Sequence, residues 1–132
     1  MTGKRAARAQ PVLRVKRVYE LPAADDGLRI LVDRLWPRGL AKDKARIDLW
    51  LKDIAPSDAL RRQFHGHPDT FDDFCRAYAA ELDAEPARGA VATLRERMAE
   101  GPVTLLFAAR DEAHNNAVAL RNWLHHRFVI AR

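Results

Sequence analysis

"PVTLLFAARD", residues 102–111, decides the fold. Between Val103 and Ala109 only Thr104 interrupts a run of apolar side chains. A strand that is apolar at both phases of its period-2 alternation is buried on both faces, which is the habit of a parallel strand covered by helices. Polar residues follow at once, and from about His114 to Arg127 the pattern becomes helical, with Ala113, Ala117, Leu120 and Leu124 as the core face. Strand, short polar turn and helix make the βα unit of an open α/β sheet.

Working outward, two earlier segments read as partners for that strand. "VLRVKRVYE" (12–20) alternates apolar and basic residues, and "LRILVDRL" (28–35) is rich in aliphatic side chains. Between them "LPAADDG" carries turn chemistry, and Pro37 and Gly39 end the second strand. "ARIDLWLKDIAPS" (45–57) has Ile47, Leu49 and Leu51 at period 2, so a third extended segment is expected there, with a short helix as the alternative. Ser57 then serves as N-cap for "DALRRQF". Helices are predicted from Pro68 onward, with Phe71, Phe74, Tyr78 and Leu82 on one face, and from Ala87 to Ala99, with Val91, Leu94 and Met98 aligned and Gly101 as the stop. The expected architecture is a single compact α/β domain over residues 12–132. It has a small, mostly parallel sheet of about four strands flanked by helices.

Composition narrows the function classes. The chain has 132 residues, 48% hydrophobic and 31% charged, which is ordinary for one globular domain and unlike a disordered chain. No apolar run approaches the roughly 20 residues that cross a bilayer, so no membrane partner is expected. Residues 1–11 lack the apolar core of a secretory signal, and one cysteine makes no disulfide framework; both point to the cytoplasm.

The net charge of +5 is concentrated at one end. Lys4, Arg5, Arg8, Arg14, Lys16 and Arg17 stand in the first 18 residues without an acid, and removing those six from 23 basic residues leaves 17 against 18 acidic ones. Residues 1–11 are expected to form a flexible basic arm. Nucleic-acid association through residues 4–17 is one functional reading.

The chemistry-bearing residues gather where strands end. In open α/β sheets, ligands bind outside the carboxyl ends of the strands. The second strand ends in Asp33, Arg34, Trp36 and Arg38, the third near Lys52 and Asp53, and the fourth in Arg110, Asp111, His114 and Asn115. If the strands run parallel, these groups share one crevice. Guanidinium groups fork onto phosphate or carboxylate oxygens, a helix start near His114 favours an anion, and Trp36 offers a flat face. The leading expectation is therefore an anionic small-molecule ligand, phosphate-bearing, with a nucleotide-like compound as one candidate. Arg34, Arg38, Lys52 and Arg110 would hold the anion, and Asp33 or Asp111 with His114 would act as acid and base.

Structural roles fit the same residues. Asp33 with Arg34 or Arg38 could close the strand end as a salt bridge, Trp36 could pack, and Asp111 could cap the last helix. His65 and His67 raise a metal question, but they lack a third ligand at known spacing, and three aspartates holding Mg²⁺ with a phosphate is a weaker reading still. Cys75, among aromatic residues, reads as a buried small hydrophobe. No GxxxxGK[ST], GxGxxG, GxSxG or HExxH motif is present. A protein-interaction module without chemistry is the third reading.

The runs "VKRVYE", "ILVDRLWPRGL", "DLWLKDIAPS", "GPVTLLFAARDEAHNNAVAL" and "LRNWL" resemble, in this order, the DUF488 family and its YeaO-like bacterial proteins. The resemblance spans roughly residues 14–126. It implies a compact α/β domain and places Asp33, Arg34, Trp36, Pro37, Arg38, Gly39, Lys52, Asp53, Arg110, Asp111, His114 and Asn115 in family motifs. It brings no reaction, substrate or cofactor with it.

Overall fold

The computed structural model describes residues 12–65 and 67–128; the basic segment 1–11 lies outside them. Strands β1 (Leu13–Arg17), β2 (Leu28–Leu31), β3 (Leu49–Trp50) and β4 (Val103–Phe107) form one sheet in the order β1-β4-β2-β3, and every pairing is parallel. The helices are α1 (Lys42–Ala45), α2 (Asp58–Phe64), α3 (Phe71–Leu82), α4 (Ala87–Glu100) and α5 (Asn116–Phe128).

β4 sits between β1 and β2 and all five of its residues are buried, as its apolar run, interrupted only by Thr104, requires. The two faces are covered differently. Ile30, Val32, Leu105 and Phe107 point into the main core with Tyr78, Leu94, Leu120 and Leu124 from α3, α4 and α5. The alternate residues Leu31 and Leu106 meet Val18 beneath Trp36, Leu40, Ile47 and Trp50. The second face is thus covered by loop residues around the one-turn helix α1 and by a T-shaped pair of indoles with centroids 5.5 Å apart. Trp36 is fixed there by its Nε1–H, which donates to the Leu40 carbonyl at 2.8 Å.

Local signals explain the connections. Ser57 caps α2 by accepting from the Leu60 N–H at 3.1 Å, and its own N–H and hydroxyl donate to Glu81 of α3 at 2.8 and 2.6 Å. The segment predicted as extended over 45–57 contracts to the two-residue β3, because a 3₁₀ turn over Lys52–Ile54 takes the chain off the sheet edge. The helix expected from Pro68 begins as a 3₁₀ turn, Pro68–Thr70, before α3. The last helix starts at Asn116 rather than near His114, so Ala113 is exposed in the preceding turn instead of lying on a core face. Asn115, buried, supplies the cap by accepting from the Val118 N–H at 2.9 Å.

At the opposite end of the strands a buried polar network holds the sheet. Arg29 donates to the Asp26 carboxylate at 2.6 Å and to the carbonyls of Arg46 and Ala45 at 3.0 Å, and Lys16 reaches the same carboxylate at 3.1 Å. Burial alone would push Asp26 up, but the hydrogen bonds from the Ala23 N–H, Arg29 and Lys16 outweigh it and hold the carboxyl below its ordinary value.

Candidate functional site

Outside the carboxyl ends of β2 and β4 lies a cleft of about 840 Å³, bounded on its far side by α2, α3 and the start of α5. Two of the three strand ends picked out from sequence deliver their residues to it: Asp33, Arg34, Trp36 and Arg38 from β2, and Arg110, Asp111, His114 and Asn115 from β4. The third does not. Lys52 and Asp53 line a separate, shallower groove with Trp50 and the start of α4, where the Lys52 ammonium stands 4.4 Å from the Trp50 ring centroid. The 3₁₀ turn after the short edge strand β3 directs them there.

Asp33 is the best-fixed group in the cleft. Its Oδ2 accepts from the Ala108 N–H at 2.9 Å, its Oδ1 accepts from the Asn116 side chain at 3.0 Å, and its carbonyl accepts from Trp50 Nε1 at 2.7 Å. Burial pushes its carboxyl above the ordinary carboxylate range, against the opposing pull of those hydrogen bonds. Among the described residues it forms no salt bridge with Arg34 or Arg38. Arg34 instead donates to the carbonyls of Ala55 and Pro56 at 3.2 and 3.3 Å, with Asp58 3.9 Å away, and so ties the end of β2 to the start of α2.

The β4 end is shaped by its own turn. Asp111 accepts from the N–H groups of Ala113 and His114 at 3.0 and 2.9 Å, and its other oxygen lies 3.0 Å from His114 Nδ1. The His114 N–H, then its ring and the Ala113 N–H, hold the exposed Asp111 carboxyl below its ordinary value. The His114 ring also meets Phe71 edge-on, with centroids 5.2 Å apart.

A brace from β1 joins the two strand ends. Arg17 donates to the carbonyls of Ala108 and Ala109 at 3.0 and 2.9 Å, and its guanidinium stacks 4.9 Å from the Tyr19 ring centroid. The Tyr19 hydroxyl in turn donates to the Arg38 carbonyl at 2.9 Å. The segments that carry Arg38 and Arg110 are therefore set by one device. Both of these side chains are exposed, line the cleft and have no hydrogen-bond or ion-pair partner among the described residues.

Several lining residues were not assigned to the site from sequence. Arg61 and Phe64 from α2, Phe71 and Phe74 from α3, and His65 and His67 between these helices complete the wall. Phe71 and Phe74 stack with centroids 5.9 Å apart, and Phe64 meets Phe74 edge-on at 5.8 Å. The apolar periodicity marks Phe71 and Phe74 as core and leaves Phe64 unassigned, and nothing local to α2 and α3 tells which strand ends they face. His65 and His67 enter this wall, and among the described residues no group of three or more His, Cys, Asp or Glu side chains could hold a metal. Cys75 is half-buried and packs against the core.

The basic residues at the start of β1 are engaged within the domain. Arg14 bonds the Asp25 carbonyl, Lys16 the Asp26 carboxylate, and Arg17 the β4 end. Lys4, Arg5 and Arg8 lie outside the described residues. Among the described residues, no helix is long and apolar enough to cross a membrane.

Over residues 12–131 the chain matches DUF488-N3i, described as the inactive DUF488-N3 subclade. It is similar to an uncharacterised protein of Mycobacterium tuberculosis (strain ATCC 25618 / H37Rv), 43% identical over 115 residues that cover 87% of this chain and 95% of the relative. It is also similar to the uncharacterised protein YeaO of Escherichia coli (strain K12), 41% identical over 112 residues that cover 85% and 96% of the two chains. No solved structure matches it. With a family match across nearly its whole length and relatives spanned almost end to end, the chain belongs to the DUF488 family, in the branch described as the inactive DUF488-N3 subclade.

Proposed function

We propose that this domain binds a small anionic, phosphate-bearing ligand in the strand-end cleft and holds it without turning it over. The observation that carries this reading is the pair of exposed guanidiniums, Arg38 and Arg110, which have no hydrogen-bond or ion-pair partner among the described residues and stand on segments fixed by a common brace. Guanidinium forks match phosphate and carboxylate oxygens in geometry and charge, and prior fixing of the backbone reduces the entropy lost on binding. Arg61 and the imidazoles of His65 and His67 add donors around the same space.

Binding is favoured over catalysis by how the acid–base candidates are employed. Both Asp33 oxygens already accept hydrogen bonds that join β2, β4 and α5, and Asp111 and His114 satisfy each other at the turn. The description of the family branch as inactive supports the same side. In this reading Asp33, Asp111 and His114 shape the cleft, Arg38 and Arg110 contact the anion, Arg34 and Asn115 hold its walls, and Trp36 covers the sheet. Lys52 and Asp53 stand apart from it.

A thermal-shift screen against phosphorylated metabolites tests the reading, because a ligand specific to the native state raises the melting temperature with concentration. A saturable rise with the native chain, lost in the Arg38→Ala/Arg110→Ala double variant, is the expected result. A screen in which phosphorylated compounds give no shift, or in which the double variant responds like the native chain, overturns it.

A further inference from the structure

The cleft has two chemically distinct sides, and this sets the class of ligand. Resting on the anion-binding reading above, we infer that the ligand is a nucleotide: a phosphate ester carrying a flat heterocyclic ring. The β2 and β4 side presents Arg38 and Arg110, while the helical side is lined by the aromatic cluster Phe64, Phe71 and Phe74, with His114 edge-on to Phe71. A free inorganic anion uses only the first side. A flat ring on the anion gains burial and stacking against the second.

Asp33 also lines the cleft. A carboxylate has about four lone-pair positions, and two of those on Asp33 are taken by Ala108 and Asn116. The remaining capacity suits donors such as the hydroxyls of a ribose or the exocyclic amine of a base, and it disfavours a bare polyanion by like-charge repulsion. Anion, donor-bearing centre and planar apolar end together describe a nucleoside phosphate. A cleft of about 840 Å³ lies within the range usual for ligands of that size.

The test is calorimetric titration of the full chain at low salt with inorganic phosphate, ribose 5-phosphate and AMP, GMP, CMP and UMP. At least one nucleotide is expected to bind roughly tenfold or more tightly than ribose 5-phosphate, as stacking of a base predicts. Phe71→Leu, which keeps an apolar side chain in the wall, is expected to remove that advantage while leaving ribose 5-phosphate affinity unchanged; Arg110→Ala weakens both. If every nucleotide binds no better than ribose 5-phosphate, or if Phe71→Leu leaves the nucleotide preference intact, the ring assignment fails and the anion reading stands. If no phosphorylated compound binds, both fail.

Discussion

Asn116, the first residue of the last helix, donates from one side-chain amide to both the Asp33 carboxylate and the Val32 carbonyl, each at 3.0 Å. Through that amide the end of β2 is fastened to the start of α5 across 83 residues of sequence. Asn116→Ala leaves both acceptors without this donor, one of them a carboxylate in a half-buried site. We expect a loss of about 1–3 kcal/mol in denaturant unfolding, and a larger loss for Asn116→Asp, which sets two carboxylates against each other.

The lower end of the sheet tests a different force. Arg29 is buried, and its main anionic partner is Asp26. Asp26→Ala removes one member of a buried pair and strands the other, so a destabilisation of about 3–5 kcal/mol is expected. The pH dependence follows from the direction of the shift: a carboxyl held below its ordinary value stabilises the fold above its unfolded pKa and loses that contribution as pH falls. Native chain should therefore weaken below about pH 4, and an Asp26→Asn variant should show a shallower acid limb in unfolding titrations.

Gly27 marks where β2 passes closest to the start of β4. Its φ is +67°, and a Cβ there would collide with the Pro102 carbonyl, which accepts from the Leu28 N–H at 2.9 Å. Gly27→Ala meets both backbone strain and overlap with main-chain atoms. We expect a cost of at least about 1–3 kcal/mol, read as a lowered midpoint in urea with little change in slope.

Trp36 separates a packing role from a ligand platform. Trp36→Phe keeps a ring beside Trp50 and loses the hydrogen bond to Leu40. A stability loss of about 1–2 kcal/mol with unchanged nucleotide affinity is expected; a tenfold loss of affinity would return Trp36 to the binding surface.

How much of this was legible in sequence differs by element for physical reasons. β4 is legible because burial on both faces leaves an apolar run broken only by Thr104, and α2 because Ser57 carries its cap in its own side chain. Arg38, Arg110, Asp111 and His114 converge as expected because parallel strands place their carboxyl ends together. Trp36 was ambiguous because nothing local tells that the Leu31–Leu106 face lacks a long helix and needs an indole as cover. Lys52 and Asp53 were misplaced because β3 is a two-residue edge strand whose exit turn, not its direction, sets where they point. The bracing role of Arg17, which reads in sequence as part of the basic N-terminal charge, and that of Tyr19 are not legible, since their partners lie 91 and 19 residues away and such pairings leave no periodic trace.

The most direct measurement is a nucleotide titration of ¹⁵N-labelled chain followed through the arginine Nε–Hε and backbone amide signals. Saturable shifts are expected at Arg38 and Arg110 and at the amides of Phe71 and His114, with Lys52 and Asp53 unmoved. Shifts confined to the Lys52–Asp53 groove, or an unchanged spectrum at saturating nucleotide, would rule out the strand-end cleft as a nucleotide site.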